Sequence, residues 1–326
     1  MKAVRIHHTG GPDVLVVEDV ETPKPPPGTV LVKVGVSGVN YTDVMARQGI
    51  YMSRESGRDQ PRTMGTEVAG VVTAVGEGVE PDLVGSRVVA FVEGGYAEYA
   101  VADRRLTFRL PESVELGDAV AFLVQGITAW ELLVDHARLR EGETVLVHSA
   151  AGGVGSLAVQ LAHHLGASRV IATASTASKL ALASRLGATD TVNYTEPGWA
   201  DRVLDLTDGR GVDVVIEAVG GDIGEESLRI LADNGRLVVY GVASKRMSAF
   251  AGSQLMQRNQ AVLGYWLTSR LSPGSATAEI VPRLLQLADA GELTAIVQHV
   301  FPLERAAEAH QALADRGTVG KVALLA

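Results

Sequence analysis

The chain has 326 residues, of which 46% are hydrophobic and 21% are charged. This balance is that of an ordinary globular protein, and the length suits two domains of roughly 150 residues each. The net charge of −9 disfavours nucleic acid and anionic membranes as partners, because either would be repelled. The absence of cysteine excludes disulfides, thiolate nucleophiles and zinc sites that need sulfur ligands. Because the N-terminus has no apolar core of signal-peptide length and no apolar run approaches about 18 residues, we expect a cytoplasmic protein.

The first 120 or so residues have the pattern of a β-rich domain. Short valine-rich runs, separated by Gly, Pro or Asp, predict strands at 30–36, 68–76 and 86–91. The segment PKPPPG at 23–28 contains too many prolines for a helix or a central strand, and it predicts a loop.

From about Gln125 onward the pattern changes, because predicted strands alternate with predicted helices. This alternation is typical of βαβ units and predicts a parallel sheet with helices on both faces. A further helix is predicted at about 276–290, and the tail from 294 to 326 returns to short mixed elements. The predicted strands of the alternating region are 144–148, 169–173, 191–194, 212–217 and 235–241, and the helices between them are 153–166, 177–187, 198–207 and 222–232.

A glycine-rich turn joins the first of these strands to the first helix, in the segment VLVHSAAGGVGSLAVQLA at 145–162. Gly152 and Gly155 are spaced like the last two glycines of GxGxxG, with Ala150 in the place of the first. Glycine allows a tight turn and a close backbone approach, and the N-terminus of a helix attracts phosphate. The segment therefore predicts a dinucleotide site at which Gly152, Gly153 and Val154 contact the ligand.

The end of the second predicted strand indicates which dinucleotide binds. An NAD site usually places an acidic residue there, but this strand ends in Ala174, Ser175 and Thr176. No Asp or Glu occurs from position 144 to position 189, where average usage in this chain would give about five. Hydroxyls and the ammonium group of Lys179 suit a 2′-phosphate, whereas a carboxylate would repel it. The sequence therefore favours NADPH over NADH.

These features together resemble the zinc-independent quinone oxidoreductase and zeta-crystallin branch of the medium-chain dehydrogenase/reductase family. The resemblance implies an α/β protein with a GroES-like β-rich catalytic domain at 1–122 and 295–326. A Rossmann domain with a doubly wound parallel sheet is implied at 123–294. The chain departs from the branch at 51–65, YMSRESGRDQPRTMG, which is longer and more polar than the usual link near the substrate entrance. Besides the glycine turn, the similar motifs are GGPDVL at 10–15, GVNYTD at 38–43, RQGIY at 47–51, GTEVAGVV at 65–72, GGYAEY at 94–99, QGITAW at 125–130, DVVIEAVGG at 213–221 and GTVGK at 317–321.

The resemblance also identifies the positions that hold the catalytic metal in zinc alcohol dehydrogenases of the family. They align with Asn40, Thr66 and Gln125, which are not a tetrahedral zinc set, so we expect no metal. Without a Lewis acid the alkoxide of a simple alcohol is not stabilised. A quinone or an α,β-unsaturated carbonyl needs less help to accept hydride, so a conjugated carbonyl is the expected substrate.

The resemblance implies catalytic roles for Asn40, Tyr41, Asp43 and Tyr51. Asn40 would lie near the nicotinamide and donate its amide N–H to the oxygen that gains charge; the alternative is a turn asparagine that satisfies its own backbone. Tyr51 would stack on the planar acceptor, unless it is an ordinary half-buried aromatic residue. Asp43 and Glu67 would form either a polar network around the former metal position or a structural ion pair.

Further residues are implied to contact the cofactor. Gly241 and Val242, which follow Tyr240 at the end of a predicted strand, would pass close to the nicotinamide carboxamide. Lys321 would reach the cofactor from the tail, and its alternative is a solvated lysine. The complete expected set is Thr128 near the nicotinamide, Gly152, Gly153, Val154, Ser175, Lys179, Tyr194 beside the adenosine phosphate, Gly241, Val242 and Lys321.

The expected reaction is direct hydride transfer from NADPH to a quinone or similar conjugated carbonyl, with protonation from water or a tyrosine. One alternative is an enoyl reductase acting on an unsaturated thioester or a secondary-metabolite intermediate, for which Arg54, Arg58 and Arg62 are the candidate basic patch. Another is a non-enzymatic, crystallin-like NADPH-binding protein with a structural or RNA-binding role. The β-prone segment AVLGYWLTS at 261–269 resembles an edge strand that pairs with its copy, so a homodimer is expected.

Overall fold

The computed structural model describes residues 1–50 and 61–326 of the chain. Two compact units are present: Met1–Ile127 with Leu271–Ala326, and Thr128–Arg270. The expected Rossmann domain extends to residue 294, whereas the segment 271–294 groups with the first unit.

The elements are numbered here in chain order. The strands are β1 (Lys2–Ile6), β2 (Val16–Asp19), β3 (Thr29–Val39), β4 (Arg62–Thr63), β5 (Glu67–Val75), β6 (Arg87–Val92), β7 (Tyr99–Arg109), β8 (Thr144–Val147), β9 (Arg169–Ala174), β10 (Asp190–Asn193), β11 (Val212–Glu217), β12 (Leu231–Val239), β13 (Ala261–Gly264), β14 (His299–Pro302) and β15 (Val322–Leu325). The helices are α1 (Tyr41–Gln48), α2 (Leu116–His136), α3 (Gly153–His164), α4 (Ala177–Arg185), α5 (Trp199–Leu206), α6 (Gly221–Arg229), α7 (Gly252–Gln257), α8 (Ile280–Asp289) and α9 (Ala306–Ala314). Short 3₁₀ turns lie at Pro12–Val14, Pro81–Leu83, Leu267–Ser269 and Leu303–Arg305.

The first unit is β-rich, as the valine runs predict. Its main sheet has the order β14-β15-β3-β5-β6-β7, and β3 also pairs with β7, which closes β3, β5, β6 and β7 on themselves. All these pairs are antiparallel except β14 with β15. Valines alternate along β3 and β5, so one face of each strand points into the core that β3, β5, β6 and β7 enclose. This core contains Val30, Val32, Val34, Val68, Val72 and Val88.

Helix α2 is an element that the sequence analysis did not predict. It is long and apolar enough to cross a membrane by length and composition alone, but 72% of its most apolar window is buried inside the protein. Two π-helical turns, Phe122–Gly126 and Leu132–His136, interrupt its regular hydrogen bonding. The helix therefore has the burial of a core helix, and the division between the two units falls within it.

The second unit, all of whose residues are described, is a doubly wound parallel sheet. Its order is β10-β9-β8-β11-β12-β13, and every neighbouring pair is parallel. Chain order reverses between β8 and β11, and in such sheets the ligand binds at this point, beside the carboxyl ends of the strands. The predicted α/β class, with its GroES-like and Rossmann parts, is confirmed.

Strand β13 is shorter than the segment 261–269 that the sequence indicates. It ends at Gly264, because Tyr265 turns inward and donates its hydroxyl to Glu131 Oε2 at 2.8 Å. A 3₁₀ turn at Leu267–Ser269 follows. Among the described residues β13 pairs only with β12, so its other edge is open.

Candidate active site

The glycine turn lies where the fold places a ligand. Strand β8 ends at Val147, and helix α3 begins at Gly153. Ser149 adopts a left-handed conformation, with φ of 51°, and its carbonyl accepts the N–H of Gly152 at 2.8 Å. Gly155 packs directly on this turn, since a Cβ there would lie 2.8 Å from Ala150 Cα. The glycine therefore permits a close approach of helix and strand that any side chain would prevent.

The predicted phosphate contacts lie at the open end of this turn. Gly152, Gly153 and Val154 are half-buried, while Gly155 and the residues after it in the first two turns of α3 are buried. No side chain caps the N-terminus of α3. The first N–H groups of a helix have no intrahelical acceptor, so this end of α3 offers donors and a positive dipole to an anion.

The end of β9 carries hydroxyls in place of an acid, as the sequence predicts. Ser175 is half-buried directly after the strand, and Thr176 caps α4 by accepting the backbone N–H of Lys179 at 3.3 Å. Tyr194 follows β10 and donates its backbone N–H to Ala174 at 3.3 Å. The structure therefore brings Ser175, Lys179 and Tyr194 to the carboxyl ends of neighbouring strands.

The segment after β12 is held against the segment after β11. The N–H of Ala243 binds the carbonyl of Ala218 at 2.9 Å, and a Cβ on Gly241 would lie 3.0 Å from the same oxygen. Gly241 and Val242 are half-buried, as is Tyr240 before them. Glycine at 241 thus allows the two loops to meet at the ligand edge of the sheet.

Glu217, at the end of β11, is a residue that the sequence analysis missed. Its Oε1 accepts the N–H of Gly220 at 2.9 Å and that of Val219, while its Oε2 has no partner among the described residues. Burial raises the pKa of its carboxyl, and the two N–H groups oppose that rise. Because the loop that it holds carries Ala218, Glu217 supports the position of Gly241.

His148 is a second residue whose role the sequence did not indicate. Its Nε2 lies 2.8 Å from Ser227 Oγ, and its Nδ1 lies 2.7 Å from Thr173 Oγ1. The Ser227 hydroxyl donates to Ile223, so Nε2 carries the proton and Nδ1 accepts one from Thr173. Burial lowers the pKa of His148 to about 3, so it is a neutral structural group that ties β8, β9 and α6 together.

In the first unit, three buried polar side chains meet at the end of β3. Lys321 Nζ donates to Asn40 Oδ1 at 2.8 Å and also contacts Glu67 Oε1. Asn40 Nδ2 donates to the same Glu67 oxygen at 2.6 Å, and the N–H of Val124 binds Glu67 Oε2 at 3.0 Å. The side chains of Lys321 and Glu67 have no solvent exposure. Lys321 is therefore not a solvated tail lysine, and Glu67 pairs with it rather than with Asp43.

Asp43 extends this cluster toward α9. Its Oδ2 accepts the backbone N–H of Asn40 at 2.8 Å and the hydroxyl of Tyr96 at 3.0 Å, and Tyr96 in turn lies 3.2 Å from His310 Nε2. Burial raises the pKa of Asp43 to about 6, against the lowering effect of Asn40 and Lys321. Burial and the charge of Arg47 lower the pKa of His310 to about 3. Tyr96 lies in the motif GGYAEY, but nothing in that motif indicates its contacts with Asp43 and His310.

The remaining predicted residues divide between the units. Tyr41 is the half-buried first residue of α1, and Thr128 is buried within α2 in the second unit. Tyr51 lies outside the described residues, as do Arg54 and Arg58. In the part of the chain that the structure describes, no group of three His, Asp or Glu side chains is arranged to hold a metal.

Comparison with known proteins agrees with this architecture. The family model of the alcohol dehydrogenase GroES-like domain matches residues 26–112, and that of the zinc-binding dehydrogenase matches residues 153–290. A probable quinone oxidoreductase of Schizosaccharomyces pombe is 36% identical over 99% of this chain and 96% of its own. A 2-haloacrylate reductase of Burkholderia sp is 35% identical, over 99% and 98% of the two chains. The crystal structure of Escherichia coli quinone oxidoreductase complexed with NADPH superposes with a TM-score of 0.92, at 31% identity and over the whole of both chains.

The chain belongs to the medium-chain dehydrogenase/reductase family. Its similarity to quinone oxidoreductases over nearly the whole chain places it with the zinc-independent quinone oxidoreductase branch.

Proposed function

We propose that the protein is an NADPH-dependent, zinc-independent reductase that transfers hydride to a quinone or a similar conjugated carbonyl. The observation that carries the proposal is the hydrogen bonding of the Asn40 side-chain amide. One of its two N–H groups is given to Glu67, and its oxygen is taken by Lys321. The other N–H is the donor that a carbonyl oxygen needs as it gains charge.

The second unit fits the cofactor. Gly152, Gly153 and Val154 offer backbone donors to the diphosphate. Ser175 and Lys179, with no carboxylate nearby along the chain, suit the 2′-phosphate that distinguishes NADPH from NADH. When bound, NADPH supplies the hydride.

A second group of residues suits the remainder of the cofactor. Gly241 and Val242 present backbone groups at the ligand edge of the sheet, where the nicotinamide carboxamide would bind. Tyr194 would lie beside the adenosine phosphate, and Thr128 near the nicotinamide. These proposed roles are the ones that the family resemblance implies.

The chain's own catalytic task is to position the acceptor and to stabilise its developing charge. Asn40 donates to the oxygen, and Asp43 fixes Asn40 through its backbone N–H. Tyr41 and Tyr51 complete the proposed acceptor site. The proton needed after hydride transfer comes from water or a tyrosine hydroxyl. Positioning accounts for most of the acceleration, because the reductant is already reactive.

Stopped-flow oxidation of NADPH and NADH tests the proposal. The acceptor panel contains 1,4-benzoquinone, a naphthoquinone, crotonyl-CoA, an unsaturated ketone and a simple aldehyde. Rapid NADPH oxidation by the quinones, with little by the aldehyde and less with NADH, is the expected result. An Asn40→Ala variant should lose roughly 10²-fold or more in kcat, as enzymes do when one oxyanion donor is removed. Equal rates for that variant and the wild type would refute the assigned donor.

A second candidate is reduction of an activated carbon–carbon double bond. The Burkholderia relative is named for a haloacrylate, which is an α,β-unsaturated acid. Preferential turnover of crotonyl-CoA or the enone would support this reading, including the enoyl reductase form of it. Tight NADPH binding without turnover of any acceptor would support the crystallin-like alternative.

We also propose that the protein is a cytoplasmic homodimer that binds neither membrane nor nucleic acid. The open edge of β13 and the net charge of −9 support this. Sedimentation at micromolar concentration should give twice the mass of the 34.2 kDa chain. A proline in place of Val262 should reduce that mass to one chain if β13 pairs with its copy.

A further inference from the structure

The Asn40 side chain is diverted from the local role that its position suggests. Asn40 precedes the first residue of α1, where an asparagine side chain normally accepts a backbone N–H of the first helical turn. It makes no such capping hydrogen bond, because the N–H of Asp43, the third residue of α1, donates to the backbone carbonyl of Asn40 at 3.0 Å. Its Oδ1 accepts a hydrogen bond from Lys321 Nζ instead. The backbone N–H of Asn40 donates to the carboxylate of Asp43 in the first turn of α1.

The two partners of the amide determine its orientation. An ammonium group only donates hydrogen bonds and an ionised carboxylate only accepts them. Rotating the Asn40 amide by half a turn would place Nδ2 against Lys321 Nζ and Oδ1 against Glu67 Oε1, so that both contacts become repulsive. The buried pair therefore selects one of the two amide orientations.

The chain makes specific room for this pair. A Cβ on Gly38 would lie 2.6 Å from Lys321 Cε and would overlap Glu67 Oε1. The other oxygen of Glu67 is anchored by the N–H of Val124, in the first π-helical turn of α2. A fully buried ion pair contributes little net stability, because its desolvation offsets its attraction. A role in positioning the Asn40 amide explains the buried pair better than a contribution to stability does.

We propose that Lys321, acting with Glu67, is a positioning residue that orients and polarises the Asn40 amide for catalysis. A positive charge at Oδ1 withdraws electrons from the amide and makes the remaining N–H a stronger donor. This role differs from the cofactor contact that the family resemblance implies for Lys321. The inference rests on the proposed function, because it gives the oriented N–H a substrate oxygen to bind.

Kinetics of Lys321→Met separate the two roles. We expect kcat with a quinone to fall roughly 10- to 100-fold, which is less than the roughly 10²- to 10³-fold cost of removing an oxyanion donor, because the Asn40 N–H is still present. The NADPH dissociation constant should stay within about twofold of the wild type, and Lys321→Arg should restore part of kcat. A cofactor contact would instead weaken NADPH binding and leave kcat nearly unchanged. Lys33→Met, on the exposed face of β3, is the matched control and should change neither value.

A double-mutant cycle tests whether Lys321 acts through Asn40. If it does, Lys321→Met should cost nothing further in an Asn40→Ala background. An additive loss would overturn the proposal. Should Lys321→Met fail to fold because Glu67 is left buried and unpaired, the variant Lys321→Met/Glu67→Gln removes both charges and is measured in the same way.

A spectroscopic measurement decides the question independently of turnover. In asparagine-labelled ¹⁵N protein, the side-chain signals of Asn40 are assigned by their loss in Asn40→Ala. Removal of Lys321 should shift these signals and speed exchange of the amide protons with water. Unmoved signals would overturn the positioning role even if quinone reduction is confirmed. A shift in a protein that reduces no quinone would keep the positioning role and refute only the proposed function.

Discussion

Gly155→Ala is the most direct test of how the nucleotide turn is built. An added Cβ would lie 2.8 Å from Ala150 Cα and 2.9 Å from Ser149 C, and closer still to Ser149 O. These are backbone atoms that have no rotamer to change, and real Cβ atoms essentially never come within 3.0 Å of a neighbour. Helix α3 must therefore move off β8 by at least a few tenths of an ångström, which takes its N-terminal donors with it.

The expected cost follows from that displacement. Overpacking of this kind destabilises by about 1–3 kcal/mol, which lowers Tm by several degrees in a unit of this size. NADPH binding, measured by fluorescence titration, should weaken by an order of magnitude, equivalent to about 1.4 kcal/mol. Gly117→Ala is the matched control, because it also changes a glycine in the first turn of a helix but meets no atom within 4 Å. Wild-type Tm and NADPH affinity in Gly155→Ala would refute the close-approach argument.

Further predictions concern three other positions. Ser175→Asp should weaken NADPH binding roughly 10- to 100-fold in fluorescence titrations and leave NADH binding little changed, because a carboxylate repels the 2′-phosphate. Burial raises the pKa of Asp43 from 3.8 to about 6, so its stabilising effect is present below pH 4 and is lost as the pH rises through 6. Relative to Asp43→Asn, the wild type should lose roughly 2 kcal/mol of unfolding free energy between pH 4 and 7 in urea titrations. His148→Phe removes two buried hydrogen bonds and should cost about 1–3 kcal/mol in the same assay.

The Rossmann part of the fold could be predicted from the sequence because its signal is local. Each strand from β8 to β11 is a short apolar run followed by a helix, and periodicity alone separates the two. Helix α2 gave no such signal, since 72% of its most apolar window is buried and its π-helical turns shift the face that points inward. Strand β13 was predicted too long, because the aromatic residues after Gly264 have strand propensity but Tyr265 is drawn to Glu131 by a tertiary hydrogen bond.

The candidate site likewise contains residues that adjacent sequence predicts and residues that only tertiary packing brings together. The glycine turn and the hydroxyls at Ser175 and Thr176 are read from adjacent residues, so the nucleotide site was predictable. His148 binds hydroxyl groups of Thr173 and Ser227, which are distant in sequence, and nothing near His148 in the sequence indicates these contacts. Glu217 binds the N–H groups of Val219 and Gly220 close by, but its burial depends on tertiary packing. Tyr96 and His310 are 214 residues apart in sequence and join the Asp43 cluster only through tertiary packing.

Lys321 shows why a family resemblance alone does not assign a role. A lysine near the C-terminus of an acidic protein is expected at the surface, since burying an ammonium group is costly. Strand β15, which it precedes, pairs with β3, and this register places Val322 opposite Val39, one residue before Asn40. The strand pairing therefore carries Lys321 to Asn40 across 281 residues of sequence. Glu67 offsets its charge, and Gly38 leaves the space for both side chains. The pairing of β15 with β3 thus fixes the ammonium group of Lys321 beside the Asn40 side chain.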